Sequence, residues 1–377
     1  MRCLAACLSW WRRKLKCTSL VLEVGVTVSL LGCCLILRKT YTRGRNLDQL
    51  AEGTVDSSTM STMSPDEEAA KVLPWWDGGY CQCDGDNCLP KASSRLESSH
   101  VVSSPEMPLA VTSGDVGGTC GRRAWAAGGG QRVVTFSLYG NNSEFWVGLD
   151  EILYQVKRRY PGWKVRLYTD PRDRGAILCP LLRRHHHFFV CDATTLPPPL
   201  GNLSLVLPSV WRIAPLGDPQ VDAMMVRDLD SAITAREADA VKDWLSSEQV
   251  FHVMRDHRNH FVPVMAGLWG VKLNNDSRHQ LAALRDTILA KAVGKSGYFD
   301  DQLLLASELF PAMEGKVMAH DSFWCGVYED SLPWPTQRHN GIFVGYRKYK
   351  KVYHNETLRE MCPRYCRPPD HPEWVFC

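Results

Sequence analysis

From Arg132 onward the chain carries short β-branched or aromatic runs separated by segments with helical spacing. RVVTFSLYG (132–140) ends in glycine and reads as a buried strand. Leu149, Ile152, Leu153, Val156 and Tyr160 then recur at helical intervals, and Tyr160-Pro161-Gly162 stops the predicted helix. WKVRLYTD (163–170), HHFFVCD (186–192) and VDAMMVRDLDS (221–231) are further strand candidates. Strand, helix, strand and strand in this order predict one α/β domain, an open mixed sheet flanked by helices. Such sheets bind ligands at the carboxyl ends of their strands. Tyr139-Gly140, Asp170 and Asp228-Leu229-Asp230 fall at those ends.

The pattern before Arg132 is different. Ser19 to Leu37 is an apolar run of nineteen residues with one charge, Glu23. At ~1.5 Å per residue it just crosses a ~30 Å hydrocarbon core. Arg12, Arg13, Lys14 and Lys16 precede it, which narrowly favours a cytoplasmic N-terminus over the basic flank that follows. The run is long for a cleaved signal peptide and lacks a clear small-residue cleavage site. The sequence therefore predicts a cytoplasmic tail at 1–17, a transmembrane signal anchor at 18–38 and a lumenal remainder. Residues 39–130 are rich in Ser, Thr, Gly, Pro and acidic residues, a largely disordered stem interrupted by a Trp- and Cys-rich patch at 72–88. The folded core is expected at 131–345 and a Cys- and Pro-rich tail packed on it at 346–377.

Composition excludes little by itself. With 377 residues, 45% hydrophobic, 23% charged and a net charge of +3, the chain is ordinary for a globular protein and offers no electrostatic case for nucleic acid. Fifteen cysteines are the unusual count. Ten of them, from Cys81 to Cys377, lie beyond the anchor, an even number that suggests disulfides in an oxidising compartment. Cys81, Cys83 and Cys88 could alternatively form a zinc knuckle, though no second half with ligand spacing follows. Cys3, Cys7 and Cys17 beside the membrane are palmitoylation candidates or free thiols. Sequons begin at Asn141, Asn202, Asn275 and Asn355, all on the lumenal side.

The run MMVRDLDS carries the chemistry. An apolar strand delivers Asp228 and Asp230 to one side of its exit, two hard oxygen ligands suited to Mn²⁺ or Mg²⁺ that also binds phosphates. The competing reading is an acidic strand end with Ser231 capping the next helix.

With the anchor, the stem, VVTFSLYG, Arg227-Asp228-Leu229-Asp230, HVMRDHRNH, VMAGLWGVK, GYFDDQLLL and AHDSFW, the chain resembles the GT-A class of glycosyltransferases over roughly Arg132 to Gly345. The resemblance implies that Asp228 and Asp230 hold a divalent cation bridging the diphosphate of a nucleotide sugar. It implies His320 as a further metal ligand. It implies that VMAGLWGVK lines the donor pocket, with Gly267 and Gly270 admitting the ligand to the backbone and Trp269 offering a stacking face. In an inverting enzyme of the class, Asp301 or Asp300 would be the general base. Each implied role has a structural alternative: a loop histidine, a core strand, a helix cap.

Tyr139, Arg212 and Arg227 are candidates for contacts to the donor, with surface ion pairing the simpler account of the arginines. Arg255, Asp256, His257 and His260 form a polar cluster that reads as a solvated loop or as a reader of sugar hydroxyls and diphosphate oxygens. His185-His186-His187 reads as a basic loop leading into a strand. The function these features favour is transfer of a sugar from a nucleotide sugar to a glycan or glycoprotein, in the Golgi or endoplasmic reticulum membrane. A non-catalytic lectin-like or chaperone-like protein of the same fold and a divalent-metal phosphoesterase are the alternatives. Donor, acceptor, stereochemistry and a homodimer stay open.

Overall fold

A computed structural model describes residues 74–77, 80–84, 87–91, 118–347 and 358–377. The anchor expected at 18–38 lies outside the described residues, and among these no helix is long and apolar enough to cross a membrane. Most of the expected stem also lies outside them.

Strands β1 (Tyr80–Asp84) and β2 (Asn87–Lys91) form an antiparallel hairpin. The chain continues through α1 (Arg122–Trp125), β3 (Gln131–Ser137), α2 (Ser143–Arg159), β4 (Lys164–Thr169), α3 (Gly175–Arg184) and β5 (Phe188–Asp192). After a 3-10 turn at Pro208–Ile213 come β6 (Val221–Arg227), α4 (Ala235–Ser246), β7 (Phe251–Arg255) and β8 (Leu268–Lys272). Then follow α5 (Asn275–Ala292), α6 (Asp300–Leu304), β9 (Val317–Asp321) and β10 (Ser331–Leu332).

The main sheet has eight strands in the order β10-β9-β7-β8-β6-β3-β4-β5. Only β8 runs antiparallel, against β6 on one side and β7 on the other. Its amino end therefore lies at the same edge as the carboxyl ends of β3 and β6. The apolar runs are near-continuous because both sheet faces are covered. Val133, Met224 and Val226 pack on the face that carries α5, α6 and the 208–213 turn. Val134, Phe136, Ala223 and Met225 pack on the other, against α2, α3 and α4. Helix α2 starts earlier than its apolar pattern because the Asn142 side chain accepts from the Glu144 N–H at 3.1 Å and caps it. The next helix, α4, is capped by Thr234, whose hydroxyl accepts from the Glu237 N–H at 3.1 Å. Ser231, the expected cap, instead donates its hydroxyl to the Gly345 carbonyl.

Five disulfides take up all ten cysteines from Cys81 onward. Cys83–Cys88 closes the β1–β2 hairpin and Cys81–Cys179 ties it to α3, so the zinc alternative for these cysteines is replaced by covalent pairing. Cys120–Cys191 joins the segment before α1 to β5. Cys325–Cys366 and Cys362–Cys377 fasten the end of the chain.

The expected solvated loop around Asp256 is an ionic hub. Asp256 is fully buried and accepts from Arg236 at 3.0 Å, Arg338 at 2.7 Å, the Ser322 hydroxyl at 2.6 Å and the Val344 N–H at 2.9 Å. Beside it, Arg255 pairs with Asp321 at 2.6 Å. Burial pushes the Asp256 carboxyl up, but Arg236 and Arg338 outweigh it and hold the group well below the usual carboxylate range. A depressed folded-state pKa means that this stabilisation is present above about pH 4 and is lost as the pH falls toward the folded value. Asp256→Asn keeps the shape and leaves two buried guanidinium groups without a countercharge. It is expected to lower unfolding free energy by ~3–5 kcal/mol in chemical denaturation at pH 7, with the difference from the parent shrinking in acid. Equal denaturation midpoints for the two proteins would contradict this.

Candidate functional site

A cavity of about 700 Å³ opens at the sheet edge where β3 and β6 end and β8 begins. Ser137 to Tyr139 line it from β3, Asp228 to Ser231 from β6 and Met265 to Leu268 from the approach to β8. Arg212, His260, Asp301 and Arg347 complete its polar wall. Tyr298 and Phe299 stand exposed at its rim, edge to face with centroids 4.8 Å apart.

Arg212 organises the charge. Its Nη1 donates to Asp228 Oδ1 and, at 3.1 Å, to the Arg227 carbonyl. Its Nη2 lies 3.5 Å from Asp301 Oδ2. The backbone N–H of Arg212 donates to the Ser137 hydroxyl at 3.0 Å, which fixes the 208–213 turn to the end of β3. Burial alone would lower the Arg212 pKa, but Asp228 and Asp301 raise it above its ordinary value. Burial likewise pushes Asp228 up, and Arg212, Arg227 and Arg347 bring it below the ordinary carboxyl range. Tyr139 is pushed up, first by burial and then by Asp301 and Asp228, against Arg212. On the second carboxylate, Arg347 Nε lies 3.3 Å from Asp230 Oδ2.

Gly267 is where close approach is needed. A Cβ on this residue would collide with both oxygens of Asp228. The missing side chain lets the Asp228 carboxylate lie flat against the backbone at the entrance to β8.

The structure thus brings Asp228, Asp230, Arg212, Tyr139, Gly267 and Asp301 to one cavity. It places several expected site residues elsewhere. Arg227 does not face the cavity. It is fully buried, bonded through Nε and Nη2 to Glu237 at 2.8 and 2.9 Å and through Nη1 to the Gly267 carbonyl at 2.9 Å. Trp269 is fully buried in the core, because a β8 residue pointing into the sheet face cannot also reach the edge. Gly270 lies one residue further into β8, where a Cβ would meet Met225, the Met224 carbonyl and Trp244, so its small size serves packing. Asp300 accepts from the Gly297 N–H at 2.8 Å at the start of α6 and is absent from the cavity wall. Asp170 pairs with Arg172 at the surface.

His320 is also displaced from its expected role. It sits within β9, separated from β6 by β7 and β8, and is fully buried. Its Nδ1 is 2.8 Å from His252 Nε2 and its Nε2 is 3.2 Å from Asp243. Trp334 packs beside it. His320 therefore does not join Asp228 and Asp230 as the resemblance implies. Two carboxylates at a strand exit still fit a hard divalent cation, since Mn²⁺ and Mg²⁺ take oxygen donors and leave positions for phosphate. A cation there has to compete with Arg212 and Arg347. Among the described residues one cluster of three metal-type side chains occurs, Asp321, Cys325 and Cys366, and its cysteines are disulfide-bonded.

Of the sequons, Asn141 and Asn202 are exposed, Asn275 opens α5 and Asn355 lies outside the described residues. Sequence reasoning missed Arg347, Gln302 and the Tyr298–Phe299 rim, and left His260 in an undecided cluster. Gln302 accepts from the Ala266 N–H at 3.0 Å and donates to the Val264 carbonyl, pinning the loop before β8. The one sequence signal for it was its place right after Asp300-Asp301.

The fold and site together define an α/β protein with a large mixed sheet and a charged cavity at its carboxyl edge. No protein-family model and no curated protein matches the chain. Among solved structures it is similar to a glycosyltransferase involved in glycosylation of the major capsid of PBCV-1, at 12% identity over 51% of this chain and 81% of that one, with a TM-score of 0.33. It is similar to 4-diphosphocytidyl-2C-methyl-D-erythritol synthase from Anaerococcus prevotii DSM 20548, at 12% identity over 51% and 88% of the two chains and a TM-score of 0.34. A third is S. aureus TarS 1-349, at 10% identity over 50% and 57% and a TM-score of 0.32. Likeness at this level says nothing of activity, which has to be read from the site itself.

Gly267→Ala is expected to cost ~1–3 kcal/mol, because the added methyl must displace Asp228 and its partner Arg212. Urea denaturation measures it. An unchanged midpoint would mean that the Asp228 carboxylate is not held in place.

Proposed function

We propose that the chain is a glycosyltransferase that moves a sugar from a nucleotide-sugar donor to a glycan or glycoprotein. The observation that carries this reading is the convergence of Asp228, Asp230, Arg212 and Asp301 on one cavity at the carboxyl edge of the sheet. Asp228 and Asp230 would hold Mn²⁺ or Mg²⁺, which when bound supplies Lewis-acid compensation for the charge of the departing diphosphate. Arg212 and Arg347 add cationic donors next to the same carboxylates, and arginine matches phosphate oxygens well.

In this reading Asp301 takes the proton of the acceptor hydroxyl. The new bond forms between that oxygen and the anomeric carbon. The bond from that carbon to the diphosphate oxygen breaks, and its electron pair leaves with the diphosphate. Asp301 suits the role because it lines the cavity, where the Gln302 N–H and Arg212 hold its carboxylate, while its neighbour Asp300 bonds to the preceding turn and does not line it. Five disulfides and two exposed sequons, Asn141 and Asn202, favour an oxidising, glycosylating compartment. With the apolar run from Ser19 to Leu37, this supports reading the protein as a single-pass type II protein of the Golgi or endoplasmic reticulum membrane.

A thermal-shift screen of the full-length chain with nucleotide sugars tests the reading, since only ligands of the folded state raise the transition. One nucleotide family is expected to stabilise the parent with Mn²⁺ and to lose that effect in Asp230→Ala. Asp301→Asn is expected to keep nucleotide binding while turnover falls by roughly 10²–10⁴-fold. A parent that binds no nucleotide sugar in either condition would refute the assignment.

A further inference from the structure

His260 belongs to the polar cluster that the proposed reaction leaves without a role. It is 8% exposed, lines the cavity and follows the tight turn after β7. The backbone N–H of Asp256 donates to His260 Nδ1 at 3.1 Å, so that nitrogen carries a lone pair and no proton. A neutral imidazole with an unprotonated Nδ1 must carry its proton on Nε2. Burial is the main force keeping the ring neutral, lowering its pKa to about 3; His257, Arg255 and Arg338 push the same way and Asp256 opposes them.

The Cε1–Nε2 edge of the ring faces Gly345. A Cβ at Gly345 would stand 3.2 Å from Cε1 and 3.6 Å from Nε2, and the residue adopts φ +92°. Gly345 also lines the cavity, and its carbonyl accepts from the Ser231 hydroxyl at 3.3 Å. The donor edge of His260 is thereby placed beside the turn that carries Asp228 and Asp230. Leu268 and this ring edge would crowd any side chain at Gly345, so the backbone there passes close against the ring.

We propose that His260 is a fixed, uncharged hydrogen-bond donor, through Nε2–H, to an oxygen of the ligand bound beside the Asp228–Asp230 turn. This rests on the proposed function, in which that oxygen belongs to a nucleoside diphosphate. His260 is a binding residue here and not an acid, a base or a metal ligand, because its only outward nitrogen holds the proton. The Asp256 hub is its positioning device: Arg236 and Arg338 lock Asp256, whose backbone N–H selects the tautomer.

Two substitutions separate the inward and outward bonds. His260→Asn can keep an acceptor for the Asp256 N–H but has no outward donor. His260→Gln can place an amide N–H near the position of Nε2. Calorimetry of the full-length chain with UDP and GDP, each with Mn²⁺, is expected to show binding about 10- to 100-fold weaker in His260→Asn. His260→Gln is expected to recover most of the loss. Nitrogen-15 histidine spectra of the parent, assigned by loss of the resonance in His260→Gln, are expected to show the Nε2–H tautomer throughout pH 5.5–8. Equal affinity of parent and His260→Asn, or an Nδ1–H or doubly protonated ring, would overturn the donor role alone. A parent that binds neither nucleotide would overturn the proposed function together with it.

Discussion

The candidate site depends on one buried ion pair. Strand β6 ends in Arg227, a guanidinium with no access to water at the point where the chain must turn into the cavity. An unpaired charge there would cost several kcal/mol. Glu237 supplies the countercharge with both oxygens, and the Gly267 and Ala232 carbonyls take remaining donors. Tyr160 donates to Glu237 at 2.9 Å from the end of α2. One pair thus joins β6, the approach to β8, the turn after Asp230, α4 and the end of α2. Asp228 then has little freedom: its backbone leaves the locked Arg227 and its carboxylate lies against Gly267, whose carbonyl the same Arg227 holds.

A second hub, Asp256, does the same for the opposite wall. It fixes Val344 through a backbone bond and His260 through another. The chain from Val344 then runs past Gly345 to Arg347, where a bridge to Ser231 returns it to the acidic turn. The cavity is therefore walled by groups whose charges are satisfied inside the protein. The two buried hubs behind the wall keep their partners when a ligand arrives, so the backbone that carries the wall is held in place, which favours electrostatic recognition.

This explains what the sequence could and could not reveal. Strands β3 to β6 were legible because burial on both faces demands continuous apolar runs such as VVTF and AMMV. The position of Asp228 and Asp230 followed from the strand they terminate, and Asp301 from its place before an apolar helix. The ionic hubs were not legible. Arg227, Arg236, Asp256 and Arg338 look like surface residues in a one-dimensional pattern, and only the fold shows that they sit in the core. His320 was misplaced for the same reason: a histidine in a polar string resembles a loop ligand, while β9 carries it into the protein beside His252 and Asp243. Trp269 and Gly270 were misread because an apolar strand with glycines looks alike whether it lines a cavity or crosses a core. Arg347 lies beyond every strand signal, and its contact with Asp230 depends on the return of the chain from Val344.

The charges on the cavity wall bear on which ligand it fits. Three carboxylates, Asp228, Asp230 and Asp301, face three cationic groups, Arg212, Lys295 and Arg347, so three minus three leaves a formal charge of zero. His260 adds a donor without adding charge. A neutral wall of closely spaced opposite charges has no net attraction for a dianion, and its carboxylates would repel one at short range. A divalent cation on Asp228 and Asp230 would change the balance to plus two and release guanidinium donors for the phosphate oxygens. In the proposed reading the acidic pair and the arginines are therefore complementary. The arginines neutralise the carboxylates while the cavity holds no cation, and the same side chains become phosphate donors when one is present.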